Sequence, residues 1–297
     1  MEKTINYEKL IHTFSIVAYD PGREEWGVAV QSKFLAAAAV VSWARAKAGA
    51  VATQSYANVS YGFRGLDLME EGLTAEETIA ALIQNDDQKD LRQVGVVDRT
   101  GNAAAFTGKK CIEWAGHQVG EGYTCQGNIL VPGTVEAMAT RFEEIRGGEG
   151  ELADWLVLTL EAGQEAGGDK RGRQAAGVIV VRDKGGYGGD NDRYLDLRVD
   201  DHPYPILKLK QLVENHHLYF GVVNPEDLIP LNSVAQELQN IMLKTGHYKD
   251  DPNGVVNEAT LSALRHLVGE ENLEERWNGD EKAIDNKVVE YLRGKFS

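Results

Sequence analysis

His12-Thr13-Phe14-Ser15-Ile16-Val17-Ala18 opens the stretch whose reading decides the fold, and Asp20-Pro21-Gly22-Arg23 followed by Trp26 to Gln31 completes it. Phe14 to Tyr19 alternates and is rich in β-formers. The next residues carry a turn signature, and the apolar alternation resumes at Trp26, so the stretch reads as a β-hairpin. Working outward, Ala48 to Ser55 reads as a third strand. Gly65 to Glu71 and Thr74 to Asn85 read as helices, the second opened by Thr74 with Glu77 three residues on, a capping box. Gln93 to Asp98 and Ala103 to Thr107 flank Thr100-Gly101 as a second hairpin. Gly133 to Arg146 and Glu151 to Glu165 have apolar helical faces, and Ala175 to Val181 and Arg193 to Val199 are strands. Helices come in blocks rather than after each strand, which argues for an α+β fold over a parallel doubly wound sheet. Strands this apolar need cover on both faces, and two packed sheets with helices outside supply it.

Asn224-Pro225 and Ile229-Pro230 break the pattern, and the composition changes beyond them. Ser233 to Lys244, Asn257 to Val268 and Ala283 to Leu292 read as three helices around the loop Asp250 to Gly254. From Asn224 onward 14 acidic residues face 8 basic ones, a net charge of -6. The expected division is an extension over 1–12, a main domain over 13–222 and a small all-α domain over 223–297.

The chain has 297 residues and a formal net charge of -15. That charge argues against nucleic acid and against anionic membrane surfaces as partners. Met1 to Leu10 is mostly polar, without the apolar core of a signal peptide, and the apolar run Phe34 to Val41 is too short to span a bilayer. Cys111 and Cys125 make no disulfide framework. Together these predict a cytoplasmic protein with no membrane partner.

Metal ligation has little support. The seven histidines fall in no metal-binding pattern, and Asp190, Asp192, Asp200 and Asp201 read as solvated acidic loops. No metal or other cofactor is expected. Gly185 to Gly189 and Gly120-Glu121-Gly122 lack the remaining residues of a phosphate-binding loop and read as tight turns.

Thr13 is the interesting position. A Thr hydroxyl is a weak nucleophile unless a base takes its proton, and a free α-amine on the same residue can do so. Lys33 ends the second strand of the hairpin, roughly opposite Thr13, where an ammonium would lower the amine's pKa; it reads equally as an ordinary strand-end lysine. Asn58 and Asn128 are loop amides following strands, and each suits either an oxyanion hole or a turn cap. Arg64, Asp169, Lys170, Arg171 and Arg173 lie near Gly-rich loops and are substrate-carboxylate ligands or surface charges.

These residues resemble a family. Thr13 to Ala18, Gly27 to Phe34, Gly49 to Gln54, Tyr61-Gly62, Ala104 to Gly108, Trp114 to His117, Gln126-Gly127-Asn128, Gly167-Gly168-Asp169 and Asp200 to Pro203 together look like the domain of unknown function 1028 family, grouped with N-terminal nucleophile (Ntn) hydrolases. The resemblance covers about residues 13 to 220. The tail, with Glu237-Leu238-Gln239, Gly246-His247-Tyr248, Thr260-Leu261 and Glu271 to Arg276, resembles a peptidoglycan-binding domain found behind it.

The resemblance implies a four-layer αββα sandwich and an amidohydrolase of small molecules. Thr13 would be nucleophile and base, Lys33 its tuner, Asn58 or Asn128 the oxyanion donor, and Arg64, Asp169 and Arg171 the substrate ligands. Family members commonly begin directly at Met-Thr-Phe-Ser, whereas twelve residues precede Thr13 here, so the role requires the His12–Thr13 bond to be cut. The tail would bind cell-wall fragments or another protein. By analogy alone the assembly is a homodimer. The rival reading is a catalytically silent scaffold that makes its contacts through the helical tail.

Overall fold

The computed structural model describes residues 13–296; the expected extension, residues 1–12, lies outside them. The chain divides into two compact units, one running to Val213 and the other from Glu214.

Among the described residues the first unit opens with the hairpin: β1 (Thr13–Asp20) pairs antiparallel with β2 (Glu25–Ser32), from Thr13↔Ser32 to Asp20↔Glu25. Asp20 Oδ1 accepts the Gly22 N–H at 2.8 Å, an Asx turn that closes it. There follow α1 (Ala37–Val41), β3 (Ser42–Arg45), β4 (Gly49–Ser55), α2 (Ser60–Glu70), α3 (Ala75–Gln84), β5 (Arg92–Asp98), β6 (Ala103–Thr107), β7 (Gly116–Gly120) and β8 (Tyr123–Gly127). Then come α4 (Thr134–Ile145), α5 (Leu152–Glu165), β9 (Ala175–Val181), β10 (Arg193–Val199) and α6 (Pro205–Phe220), within which the division between the units falls. The capping box of α3 is formed, with Thr74 Oγ1 accepting from Glu77 N and the Glu77 carboxylate accepting from Thr74 N.

The strands make two sheets, one ordered β10-β9-β2-β1-β8-β7 and the other β3-β4-β5-β6. The pleat of β1 divides its side chains between two cores. Phe14, Ile16 and Ala18 pack with Met138, Phe142, Leu156 and Leu160 of α4 and α5. Val17, with Val28 and Val30, packs on Ala50, Ala52 and Val97 of the other sheet. A third core joins Val51, Val94 and Val96 to Leu66, Met69, Ile79 and Leu82 of α2 and α3. A strand buried on both faces reads as a nearly unbroken buried run, as β1 and β2 do.

Several elements differ from expectation. The run read as a mere apolar stretch holds the five-residue α1, which leads directly into β3; five residues are too few to display a helical period. The hairpin of β7 and β8 and the helix α6 add to the elements expected. In the second unit β11 (Leu228–Pro230), α7 (Leu231–Lys244), α8 (Glu258–Glu270), β12 (Ala283–Asp285) and α9 (Asn286–Phe296) surround a core that includes Leu238, Met242, Leu264, Leu267, Ile284, Val288 and Leu292. The tail is therefore helical but not all-α: residues 283–285 pair with 228–230. Ile284 is buried, and one apolar residue in so short a segment fits strand and helix alike, so its spacing could not separate the two.

At the turn end of the first hairpin Glu25 is fully buried. Its Oε1 meets Arg182 at 2.8 Å while Oε2 has no hydrogen-bond partner. Burial, partly offset by Arg182, pushes this carboxyl from 4.5 up to about 7. Holding the ionised form is unfavourable, so the penalty is absent below 4.5, grows as pH rises from 4.5 to about 7, and is complete above that. Glu25→Gln is expected to remove up to about 3 kcal/mol of this pH-dependent loss. Urea unfolding at about pH 5 and about pH 7.5 checks it, and an unchanged difference between the two contradicts it.

Candidate active site

Apolar packing between the sheets gives way to polar side chains where β1 begins. Thr13, Ser15, Ser32, Gln54, Gln93 and Gln126 are all fully buried there. The hairpin register sets Ser32 opposite Thr13, and Thr13 Oγ1 donates to Ser32 Oγ at 3.2 Å. No hydrogen bond joins Thr13 Oγ1 to a titratable side chain among the described residues. Behind it the amides interlock. Ser15 Oγ donates to Gln54 Oε1 at 2.7 Å, and Gln54 Nε2 donates to Gln93 Oε1 at 2.9 Å. Gln93 Nε2 bonds the carbonyls of Gly127 (2.8 Å) and Gly116 (3.1 Å), and Gln126 Nε2 bonds Ser15 Oγ (2.7 Å). Glycine at 95 makes room for this, since a Cβ there would collide with the Gln126 side chain and the Thr124 hydroxyl. A buried amide costs free energy unless its partners are present. The network therefore holds the ends of β1, β4, β5 and β8 in fixed relation.

Asn128 lies within this cluster. Its backbone N–H donates to the Thr13 carbonyl at 3.0 Å and its Nδ2 to Gln93 Oε1 at 3.0 Å. Asn58 is placed otherwise: its Nδ2 donates to Asp86 at 3.3 Å, and its Oδ1 accepts from Ser60 N and Oγ at the start of α2. Arg64 is exposed on α2. Lys33 is exposed and forms no ion pair among the described residues, while its backbone N–H donates to Asp169 Oδ2 at 3.1 Å.

Asp169 is 3% exposed and its carboxylate is filled. Oδ1 accepts the Arg171 backbone N–H at 2.9 Å, and Oδ2 pairs with the Arg171 guanidinium at 2.8 Å. With the Lys33 N–H on the same carboxylate, Asp169 pins its loop to the end of β2 and holds Arg171 in place. Asp169→Asn keeps the size but loses the charge. It is expected to destabilise the protein by about 2 kcal/mol, because hydrogen bonds to a charged group are the stronger ones. Denaturant unfolding measures this, and an unchanged midpoint contradicts it.

Structure thus brings Thr13, Asn128, Asp169, Arg171 and the backbone of Lys33 to one end of the six-stranded sheet, and places Asn58 beside Asp86. The sequence reading missed Ser32 and the glutamine cluster. Only the register of Thr13 against Ser32 could have pointed to the first. Among the described residues no group of three or more His, Cys, Asp or Glu is placed to hold a metal, and no helix is long and apolar enough to cross a membrane. In the second unit Thr245, His247, Lys249, Ser262 and His266 line an open groove of about 560 Å³.

The first unit defines a class: a mixed α/β unit with a six-stranded and a four-stranded antiparallel sheet and a hydroxyl-and-amide cluster where the first strand begins. Residues 13–209 match the family described as "Family of unknown function (DUF1028)", and the chain belongs to that family. Residues 223–292 match the family described as "Putative peptidoglycan binding domain". Among solved structures, protein SPO2555 from Silicibacter pomeroyi, of the same DUF1028 family, is 27% identical, with a TM-score of 0.63 over 71% of this chain and 88% of its own. Anbu (ancestral beta-subunit) from Yersinia bercovieri is 11% identical over 68% of this chain and 94% of its own, and its TM-score of 0.33 is too low to bear on the fold. No curated protein matches the chain.

Proposed function

We propose that the first unit is a four-layer αββα sandwich of the Ntn-hydrolase kind and that it hydrolyses a small amide once Thr13 carries a free amine. Three cores in series support the layering: helices on sheet, sheet on sheet, and sheet on helices. One observation carries the chemistry. Thr13 opens the central hairpin with its hydroxyl on Ser32 and, among the described residues, with no titratable side chain bonded to that oxygen. The base then has to be the residue's own α-amine.

In this reading Thr13 Oγ attacks the amide carbonyl carbon and its proton passes to the Thr13 amine. The tetrahedral oxyanion takes a hydrogen bond from Asn128, the candidate amide adjoining Thr13. Collapse breaks the C–N bond, and the departing amine leaves with the proton from the Thr13 ammonium. Water then attacks the resulting ester, its proton going to the Thr13 amine, and the acid departs as the Thr13 hydroxyl is restored. Ser32 orients that hydroxyl. Lys33 acts on the amine only through space, and Arg64 and Arg171 supply positive charge for a substrate carboxylate. The second unit holds cell-wall fragments in its polar groove.

The test compares the full-length chain with one cut immediately before Thr13, across a panel of acyl amides. Hydrolysis by the cut form alone is expected; equal activity, or none from either, removes the reading. Both forms, titrated with soluble cell-wall fragments, are expected to bind them equally, and absence of saturable binding removes the second unit's role. A catalytically silent scaffold is the second reading. It is favoured by the complete burial of Thr13, whose nitrogen is a peptide amide in the intact chain.

A further inference from the structure

A cavity of about 230 Å³ lies in the first unit, between the last turns of α5, the loop at Arg173 and the first turn of α6. Its walls are tied together. The Gln174 carbonyl accepts the His202 N–H at 2.8 Å, Gln174 Nε2 reaches Asp201 at 3.1 Å, and the Tyr204 N–H donates to His202 Nδ1 at 2.9 Å. These bonds hold the Tyr204 segment against the loop that carries Arg173.

Three polar groups of the lining are not used by the fold. Gln164 Oε1 is a buried acceptor with no hydrogen-bond partner. The Arg173 guanidinium stacks 4.8 Å from the Tyr204 ring centroid and has no carboxylate partner among the described residues. Glu165 has no cationic partner among them either. The fourth ionisable group, Glu161, is already neutralised by Lys210 at 3.1 Å. What remains is one positive charge, one negative charge and one acceptor, with Ile206 and Leu207 as an apolar wall. Such a set is matched by a small zwitterion: a carboxylate on Arg173, an ammonium against Glu165 and Gln164 Oε1, and an apolar side chain on the wall. The volume selects further. Drug-sized and larger ligands take pockets of about 300–1,000 Å³, so this cavity suits a single amino acid better than a polymer.

We propose that this cavity binds a free α-amino acid with an apolar side chain. The site requires nothing of Thr13, so it stands or falls separately from the hydrolase reading.

Calorimetric titration of the full chain with L-leucine, N-acetyl-L-leucine and L-leucinamide tests it. L-leucine is expected to bind saturably with a Kd of about 1 mM or tighter. Each blocked analogue, which leaves one polar group of the site unmatched, is expected to bind about tenfold more weakly or worse. Arg173→Ala and Gln164→Leu are each expected to raise the leucine Kd about tenfold or more at an unchanged Tm, since both changes leave the core intact. Absence of leucine binding, equal binding of all three compounds, or variants that bind leucine like the parent would overturn the proposal.

Discussion

Replacing Thr13 by alanine in a chain that begins at residue 13 is expected to lower amide hydrolysis on the order of 10⁴-fold or more, the scale of losing a nucleophile from a site whose parts act together. The loss should appear in kcat, because the missing bond forms only in the reaction. No neighbour can take over. The hydroxyl bonded to it, Ser32 Oγ at 3.2 Å, belongs to an internal residue with no free amine of its own to serve as base. Thr13→Ser keeps both the hydroxyl and the amine and is expected to retain activity within about tenfold of the parent. Equal loss in the serine and alanine variants would mean that packing at this position, not its chemistry, was disturbed. Unchanged hydrolysis in the alanine variant would remove Thr13 from the mechanism.

The largest stability effect is expected in the second unit, from Arg276→Leu. Arg276 and Asp285 form an ion pair at 3.0 Å with side chains only 2% and 0% exposed. The same guanidinium also donates to the carbonyls of Leu218 (2.8 Å), Val222 (3.2 Å) and His217. Leucine would leave Asp285 charged and buried without its partner, which costs about 3–5 kcal/mol. It would also strip three carbonyls, near the end of α6, of a donor that satisfies them. A loss of about 4 kcal/mol or more in a unit of this size corresponds to a fall of about 16 °C or more in its Tm. Scanning calorimetry should show the fall in one transition, with the transition of the first unit in place. A shift of less than about 3 °C would show that the pair contributes little beyond an apolar contact, as some buried pairs do.

The hairpin from Thr13 to Ser32 was legible because both strands keep their β-rich character and the Asp20 turn sits between them. The second hairpin, around Gly101, and the α3 capping box were legible for similarly local reasons. The β7 hairpin was not: Gly116 to Gly120 is a largely exposed strand at the sheet edge, so it shows no apolar alternation. The helix α6 did carry a signal, since Ile206, Leu209 and Val213 are buried at helical spacing behind Pro205. Within the candidate site Thr13 and Asn128 could be picked out by residue type and position. Gln54, Gln93 and Gln126 could not, because each looks like an ordinary polar residue in its own strand. Their meaning comes from strand pairings that bring distant segments together. Asp169 could be noticed as a charge on a Gly-rich loop. That its carboxylate is filled by Arg171 and the Lys33 N–H depends on a contact across 136 positions.

The account rests on the Thr13 amine being free in the working protein. Intact-mass spectrometry and an acyl-amide assay on one natively purified sample test this together. The account predicts that hydrolysis tracks the fraction of molecules whose mass corresponds to a chain starting at Thr13. Full hydrolytic activity in a sample whose molecules all retain the residues before Thr13 would contradict it.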